Sequence, residues 1–166
     1  VAYVQANVAR TVVDVFLEQS EVKLSRRLVI TSGCGGGIAS LSAQYEPLDS
    51  DFCIPSDTIV KRMRELRGVA HLYNRVRGVH TAVLANDTGI VLSAEDVGRH
   101  NTIDKIAGKA LLEKITTRDH LLLATGRISS EMVHKARRME IPIVVSRTSP
   151  TRLAVELATQ WNICLV

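Results

Sequence analysis

From residue 120 onward the chain alternates short apolar runs with helical patterns, and this alternation restricts the possible fold more than any other feature. The runs are HLLLAT (120–125), IPIVVS (141–146) and ICLV (163–166), with helices predicted to begin near Ser130 and Pro150. Strands alternating with helices are typical of right-handed βαβ units and a parallel sheet. The sequence therefore predicts an α/β fold.

Upstream of this region the patterns predict further elements. HTAVLANDTGIVLSAED (80–96) predicts two strands joined by a turn at residues 86–89. RLVIT (27–31) predicts a short strand, and PSDTIVKRMREL (55–66) predicts a helix. Another helix is expected after residue 100, with Ile103, Ile106, Ala107, Ala110 and Leu111 facing inward. We expect a mixed, mostly parallel sheet in a single α/β domain over 1–166.

The beginning of the chain predicts an amphipathic helix. Over about the first 18 residues, apolar side chains recur at helical spacing; they are Val4, Val8, Val12, Val15 and Phe16. The chain opens VAYVQANVARTVVDVF, with neither an initiator Met nor a signal peptide. We therefore expect a fragment or a processed chain.

Composition excludes several classes of function. The chain is 46% hydrophobic and 23% charged, without an apolar run near the roughly 20 residues that cross a membrane. Net charge is +4, yet basic residues are spread out and aromatic residues are only 4%, too few for rows of base-stacking platforms. Cys34, Cys53 and Cys164 show no paired spacing. We expect a cytoplasmic protein that binds neither membrane nor nucleic acid.

Charged, glycine and hydroxyl-bearing residues follow four predicted strands. The segments are SGCGGG (32–37), EDVGRHN (95–101), GRISS (126–130) and RTSP (147–150). In α/β sheets, ligands bind at the carboxyl ends of the strands, where helix N-termini also point. Guanidinium groups pair bidentately with phosphate. We therefore expect Arg99, Arg127 and Arg147 to lie together and to bind a phosphate-bearing ligand.

Each of these residues, taken alone, also has an ordinary structural interpretation. Ser129, Ser130 and Ser149 could be helix caps, and each Arg could be a solvated surface charge. The carboxylates Glu95 and Asp96 are interpreted as acceptors that hold Arg99 and His100 in position. The alternative is that Asp96 or Asn101 caps the following helix.

Cys34 has two interpretations that the residues alone leave open. A single Cys is usually a small buried hydrophobe, but Gly33 and the glycines at 35–37 give this one nothing to pack against. A thiol near helix N-termini and basic groups can be nucleophilic. Cys53 and Cys164, in apolar surroundings, are expected to be buried and inert.

Histidine spacing argues against a catalytic zinc site. A zinc deaminase requires H-x-E and P-C-x-x-C, whereas His80 is followed by Thr-Ala and P-C-x-x-C does not occur. We interpret His71, His120 and His134 as structural or surface residues.

Four segments together resemble the formate dehydrogenase accessory sulfurtransferase family, often called FdhD. They are GVHTAVL (78–84), EDVGRHNTIDKIAGKAL (95–111), GRISSEMVHKA (126–136) and IPIVVSRTSPTRLAVELA (141–158). The resemblance implies a cytidine-deaminase-like, three-layer α/β/α fold without zinc, and a homodimer. It implies a sulfurtransferase that takes persulfide sulfur from a cysteine desulfurase. The sulfur passes to bis-molybdopterin guanine dinucleotide, which formate dehydrogenase then receives.

The resemblance also implies a catalytic residue, Cys34, and a pocket for the polyanionic cofactor, with GDP as a mimic of half of its dinucleotide. The expected cofactor-binding residues are His80, Glu95, Asp96, Gly98, Arg99, His100, Asn101, Asp104, Gly126, Arg127, Ser129 and Arg147. The family loop reads C-x-x-C, and this chain has Gly37 at the second Cys. The family also has segments before residue 1 and after CLV. A non-catalytic molybdenum-cofactor-binding chaperone is the alternative.

Overall fold

The computed structural model describes residues 3–9, 11–16, 18, 29–30, 38–39 and 45–166. These residues belong to two compact units. The first unit contains the described residues before position 40, and the second contains residues 45–166.

The first unit contains two antiparallel strand pairs. They are β1 (Tyr3–Ala6) with β2 (Val13–Phe16), and β3 (Val29–Ile30) with β4 (Ile38–Ala39). Across the first pair the rings of Tyr3 and Phe16 stack with centroids 4.1 Å apart. Asn7 closes the connection, because its Oδ1 accepts hydrogen bonds from the backbone N–H groups of Thr11 at 2.8 Å and Val12 at 3.2 Å.

The prediction of an amphipathic helix at the start of the chain is therefore wrong. Val4 lies opposite Val15 on a neighbouring strand, rather than on one helical face with it. β-Branched side chains favour strands, and a turn-forming Asn lies between the two runs. Spacings of four residues satisfy a period of two as well as a helical period, so the valine pattern was ambiguous.

The second unit contains five helices and one five-stranded sheet. The helices are α1 (Ser56–Val69), α2 (His71–Val76), α3 (Arg99–Leu112), α4 (Ser130–Arg138) and α5 (Arg152–Gln160). The strands are β5 (His80–Ala85), β6 (Ile90–Asp96), β7 (Leu121–Ala124), β8 (Ile143–Ser146) and β9 (Cys164–Leu165).

The sheet is mixed, with strand order β6-β5-β7-β8-β9. The β6–β5 and β5–β7 pairs are antiparallel, whereas β7–β8 and β8–β9 are parallel. The predicted α/β class, the mixed sheet and the hairpin over 80–96 are confirmed. The description "mostly parallel" was too strong, because β5 of the hairpin lies directly beside β7.

Buried side chains alternate between the two faces of this sheet, as the strand period of two requires. Leu84, Leu122 and Val144 pack with residues of α3, α4 and α5. Val83 and Leu123, on the other face, pack with residues of α1. Helices thus cover both faces, while the likeness to cytidine deaminases and the single domain over 1–166 stay predictions.

Arg62 of α1 anchors the turn between β5 and β6. This side chain is buried, at 2% exposure. Its guanidinium donates to the carbonyl oxygens of Asn86 at 2.9 Å and Asp87 at 2.6 Å, and it pairs with Glu65. A buried charge is tolerated here because its donors have partners.

Over the described ranges, no helix combines the length and apolarity that crossing a membrane would require.

Candidate functional site

The ends of β6, β7 and β8 meet the beginning of β5 at one edge of the five-stranded sheet. His80 lies opposite Asp96, and Ala124 lies opposite Ser146 on the neighbouring parallel strand. The residues that follow these strands therefore gather at this edge, as three of the four strand-end segments predicted. The prediction for the fourth segment, residues 32–37, stays a prediction, because these residues lie outside those that the structure describes. Cys34 and Gly37 lie outside the described residues.

A cavity of about 580 Å³ opens at this edge, and we call it the strand-end cavity. It is lined by Met63, Leu66, Arg67, Ala70, Tyr73, Asn74, Arg77, Gly78, Val79, His80, Thr81, Thr125, Arg147 and Thr148. Three of these residues are arginines, and none of the described lining residues is acidic. The cavity therefore suits an anionic ligand of the size of a nucleotide.

Of the predicted site residues, His80 and Arg147 line this cavity. Sequence reasoning missed the wall that α1 and α2 provide, with Arg67, Tyr73 and Arg77. The available signal was the basic content of the segment 61–77.

The α2 wall is tied together by its own side chains. Asn74 Nδ2 donates to the carbonyl oxygen of Arg67 in α1, at 3.2 Å. The Arg77 guanidinium lies 5.6 Å from the centroid of the Tyr73 ring, within the range of a cation–π contact. Arg77 ends the helix with a φ of 62°, in the left-handed region. This conformation redirects the chain towards β5.

His80, Arg99 and Gly126 are packed against one another beside the cavity. A Cβ atom on Gly126 would lie 2.9 Å from Arg99 Cβ and 3.3 Å from His80 Nδ1, so glycine leaves room for both side chains. Arg99 Nε is buried and has no hydrogen-bond partner among the described residues. His80 Nδ1 lies 3.4 Å from Thr125 Oγ1. Burial, and secondarily the charge of Arg99, lower the pKa of His80.

His100 packs against the beginning of α4. Its Nε2 lies 3.0 Å from Ser129 Oγ and 3.5 Å from Glu131 Oε2. Burial is the main cause that lowers the pKa of His100, although Glu131 acts in the opposite direction. Ser129 also caps α4 by accepting from the Met132 N–H at 3.4 Å. Because Glu131 contacts the same ring nitrogen as Ser129, the three residues do not form a nucleophile–base–acid relay.

Glu95 and Asp96 do not hold Arg99 or His100, so that interpretation is wrong. Glu95 accepts hydrogen bonds from the backbone N–H groups of Leu72 and Tyr73. Asp96 forms an ion pair with Lys105 at 2.5 Å and accepts from the Gly98 N–H at 2.8 Å and Asn101 Nδ2 at 3.0 Å. The Lys105 contact, followed by that with Gly98, lowers the pKa of Asp96 to about 2.

The helix-cap alternative is wrong as well, because the N-cap of α3 is Gly98 and α3 receives no side-chain cap. Asn101 instead donates to Asp96. The contacts of Glu95 with α2, and that of Asp96 with Lys105, are made through the fold, so the local sequence did not reveal them.

The remaining predicted residues lie outside the lining of the cavity. Asp104 pairs with Lys135 at 2.6 Å and so links α3 to α4. Arg127 is exposed. Among the described residues, no three His, Cys, Asp or Glu side chains converge in a way that could hold a metal ion.

Cys53 and Cys164 are exposed, so the prediction that both are buried is wrong. Both line a second cavity of about 490 Å³ beside β9. Cys164 lies on the edge strand of the sheet. Phe52 and Ile54, which flank Cys53, pack against the core in its place.

Comparison with known proteins gives matches over most of the chain. A family model described as the FdhD/NarQ family matches residues 2–166. A "Sulfur carrier protein FdhD" of Bacillus pumilus is 40% identical over 113 residues, which are 68% of this chain and 43% of that protein. A protein of the same description from Listeria innocua is 32% identical over 157 residues, covering 91% of this chain and 60% of that protein.

One solved structure is also similar. It is the crystal structure of a candidate formate dehydrogenase accessory protein from Desulfotalea psychrophila, with a TM-score of 0.68 and 37% identity. The match covers 74% of this chain and 52% of that one. The chain thus spans about half the length of the relatives that it matches.

Proposed function

This chain belongs to the FdhD/NarQ family, and we propose that it carries sulfur for the maturation of formate dehydrogenase. Cys34 accepts sulfur as a persulfide from a cysteine desulfurase. The sulfur passes to bis-molybdopterin guanine dinucleotide, the cargo that formate dehydrogenase then receives. On this proposal the protein is a cytoplasmic sulfurtransferase and acts as a homodimer.

The strand-end cavity is the observation that carries the cofactor-binding part of the proposal. The guanidinium groups of Arg67, Arg77 and Arg147 would meet the phosphates of the guanine dinucleotide, since such pairs are strong and directional. The ring of Tyr73 and the amide of Asn74 offer a stacking surface and a hydrogen-bonding group for a base. A cavity of about 580 Å³ is large enough for one half of the dinucleotide.

The arginines, and not a helix dipole, supply the positive charge in this arrangement. In the first turn of α2, the N–H groups of Leu72 and Tyr73 are already bound to Glu95, so they are not free to bind phosphate. His80 is partly buried and lines the same cavity, and a phosphate beside it would stabilise its protonated form.

A non-catalytic cofactor-binding chaperone is the second candidate, favoured by Gly37 at the position of the family's second Cys. It needs the strand-end cavity but not the thiol. A Cys34→Ala variant that binds cofactor and supports an active formate dehydrogenase would favour this chaperone over a sulfurtransferase.

The cofactor site is tested by titrating GDP against charge-removing variants. Arg147→Gln and Arg77→Gln should each weaken binding at least tenfold, or about 1.4 kcal/mol, because each removes a charge-assisted phosphate contact. The matched control is Arg75→Gln, which removes the same charge from an exposed position of α2 that does not line the cavity.

An equal loss in the Arg75 variant would mean that only net charge matters, and unchanged affinity in all three would place the site elsewhere. Arg127→Gln shows in addition whether the site extends past Gly126, as the sequence predicted.

A further inference from the structure

We propose that Glu95 is a positioning residue for the strand-end cavity, because it holds α2 where Tyr73, Asn74 and Arg77 face the ligand. The inference rests on the proposed function for the identity of that ligand. It replaces the sequence-based expectation that Glu95 contacts the cofactor.

Both carboxylate oxygens of Glu95 bind the beginning of α2. Oε2 accepts from the Leu72 N–H at 2.7 Å, and Oε1 accepts from the Tyr73 N–H at 2.8 Å. The Thr81 hydroxyl donates to Oε1 at 3.3 Å. Glu95 lies on β6 and Thr81 on β5, so the sheet itself supplies the cap of the helix.

This helix has little else to hold it. It is only six residues long, its N-cap Ala70 offers no side-chain hydrogen bond, and none of its residues is buried. Leu72 is 41% exposed and Val76 is 55% exposed. Helices this short are unstable alone and depend on tertiary contacts. The Glu95 carboxylate is therefore a principal anchor of α2.

The anchor matters because α2 forms one wall of the cavity. Tyr73 and Asn74 lie on it and Arg77 ends it. Asn74 also bonds to the carbonyl of Arg67, which extends the same wall into α1. Losing the carboxylate would release these side chains together.

A direct contact between Glu95 and the cofactor is a poorer explanation. Both carboxylate oxygens are already engaged, and Glu95 is not among the residues that line the cavity. A carboxylate would also repel phosphate.

The test compares Glu95→Ala with Glu95→Gln in two measurements. Hydrogen exchange without ligand reports whether α2 is held in place. GDP titration reports the affinity of the cavity for GDP. In Glu95→Ala, the amides of Leu72 and Tyr73 should exchange at least tenfold faster, and GDP should bind at least tenfold more weakly. Glu95→Gln keeps one acceptor oxygen, so it should fall between wild type and Glu95→Ala in both measurements.

Thr151→Ala is the matched control. Thr151 caps α5 by accepting from the Ala154 N–H at 3.3 Å and does not line the cavity. Its loss should lower the melting temperature and leave both the exchange of Leu72 and Tyr73 and the GDP affinity unchanged.

Unchanged exchange in Glu95→Ala overturns the inference, as does wild-type GDP affinity despite faster exchange. Tighter binding by Glu95→Gln would also overturn it, because Glu95 would then act only by repelling the ligand. A wild-type protein that fails to bind GDP overturns the proposed function instead, and the exchange result alone then decides whether Glu95 holds α2.

Discussion

At the scale of single residues, burial controls the charge of the histidines beside the strand-end cavity. His80 and His100 both have a lowered pKa, with burial as the largest cause and Arg99 acting in the same direction. Near neutral pH the His80 imidazole is therefore neutral. An anionic ligand would offset the effect of Arg99 and favour protonation of His80.

This linkage predicts that GDP binding takes up a proton at His80. Binding raises the pKa of His80, so affinity should increase as the pH falls from about 8 to about 6. GDP itself titrates near pH 6, so the comparison is with His80→Gln. The ratio of wild-type to variant affinity should rise by about threefold or more over this range. Titration calorimetry at several pH values measures it, and a constant ratio would contradict the assignment of His80 to the site.

Sequence reasoning found some of these residues because strand ends meet at one edge. That argument placed Gly126 and Arg147 at this edge, whereas His80, at the beginning of β5, was expected only from the family resemblance. Arg67 and Arg77 were not predicted, since an arginine on a helix is usually solvated. Only the fold shows that these two line the cavity. The ion pair of Asp96 is made with Lys105, which α3 brings to it, and no local pattern reveals this contact.

At the scale of secondary structure elements, the length of each element and the turn residues beside it decided which predictions succeeded. The strands and helices after residue 120 have the lengths and flanking turn residues that distinguish them. In the first 16 residues the valine spacing fits both the helical period and the strand period of two, and these residues form a hairpin of two strands. The order of strands in the sheet could not be predicted from the sequence, because periodicity specifies a strand but not the strand that pairs with it.

Breaking the contact between α1 and the β5–β6 turn should lower the free energy of unfolding. Arg62→Met keeps the apolar stem but removes the charged hydrogen bonds to Asn86 and Asp87, so it should destabilise the fold by about 2–3 kcal/mol. Urea unfolding measures this loss. Arg64→Met, at an exposed position of the same helix, should change stability by less than about 0.5 kcal/mol. Equal effects of the two variants would show that Arg62 is not the anchor.

At the scale of the whole molecule, the family match confirms the resemblance seen in the four sequence segments. The relatives are named for carrying sulfur and the solved structure for a role with formate dehydrogenase. The cysteine desulfurase, the cofactor cargo and the homodimer stay predictions. Cys53 and Cys164 have exposed thiols, so any test of sulfur transfer must distinguish labelling of these two residues from labelling of Cys34.

Sulfur loading of Cys34 is the most direct test of the central claim. A variant with Cys53→Ser and Cys164→Ser leaves Cys34 as the only thiol, since the chain has three cysteines. It is incubated with a cysteine desulfurase and cysteine, alkylated and mapped by mass spectrometry, beside a Cys34→Ala protein that keeps the other two thiols. We predict a persulfide on Cys34 in the first protein and far less labelling in the second. Absence of the label from Cys34, or equal labelling of the two proteins, would contradict the account.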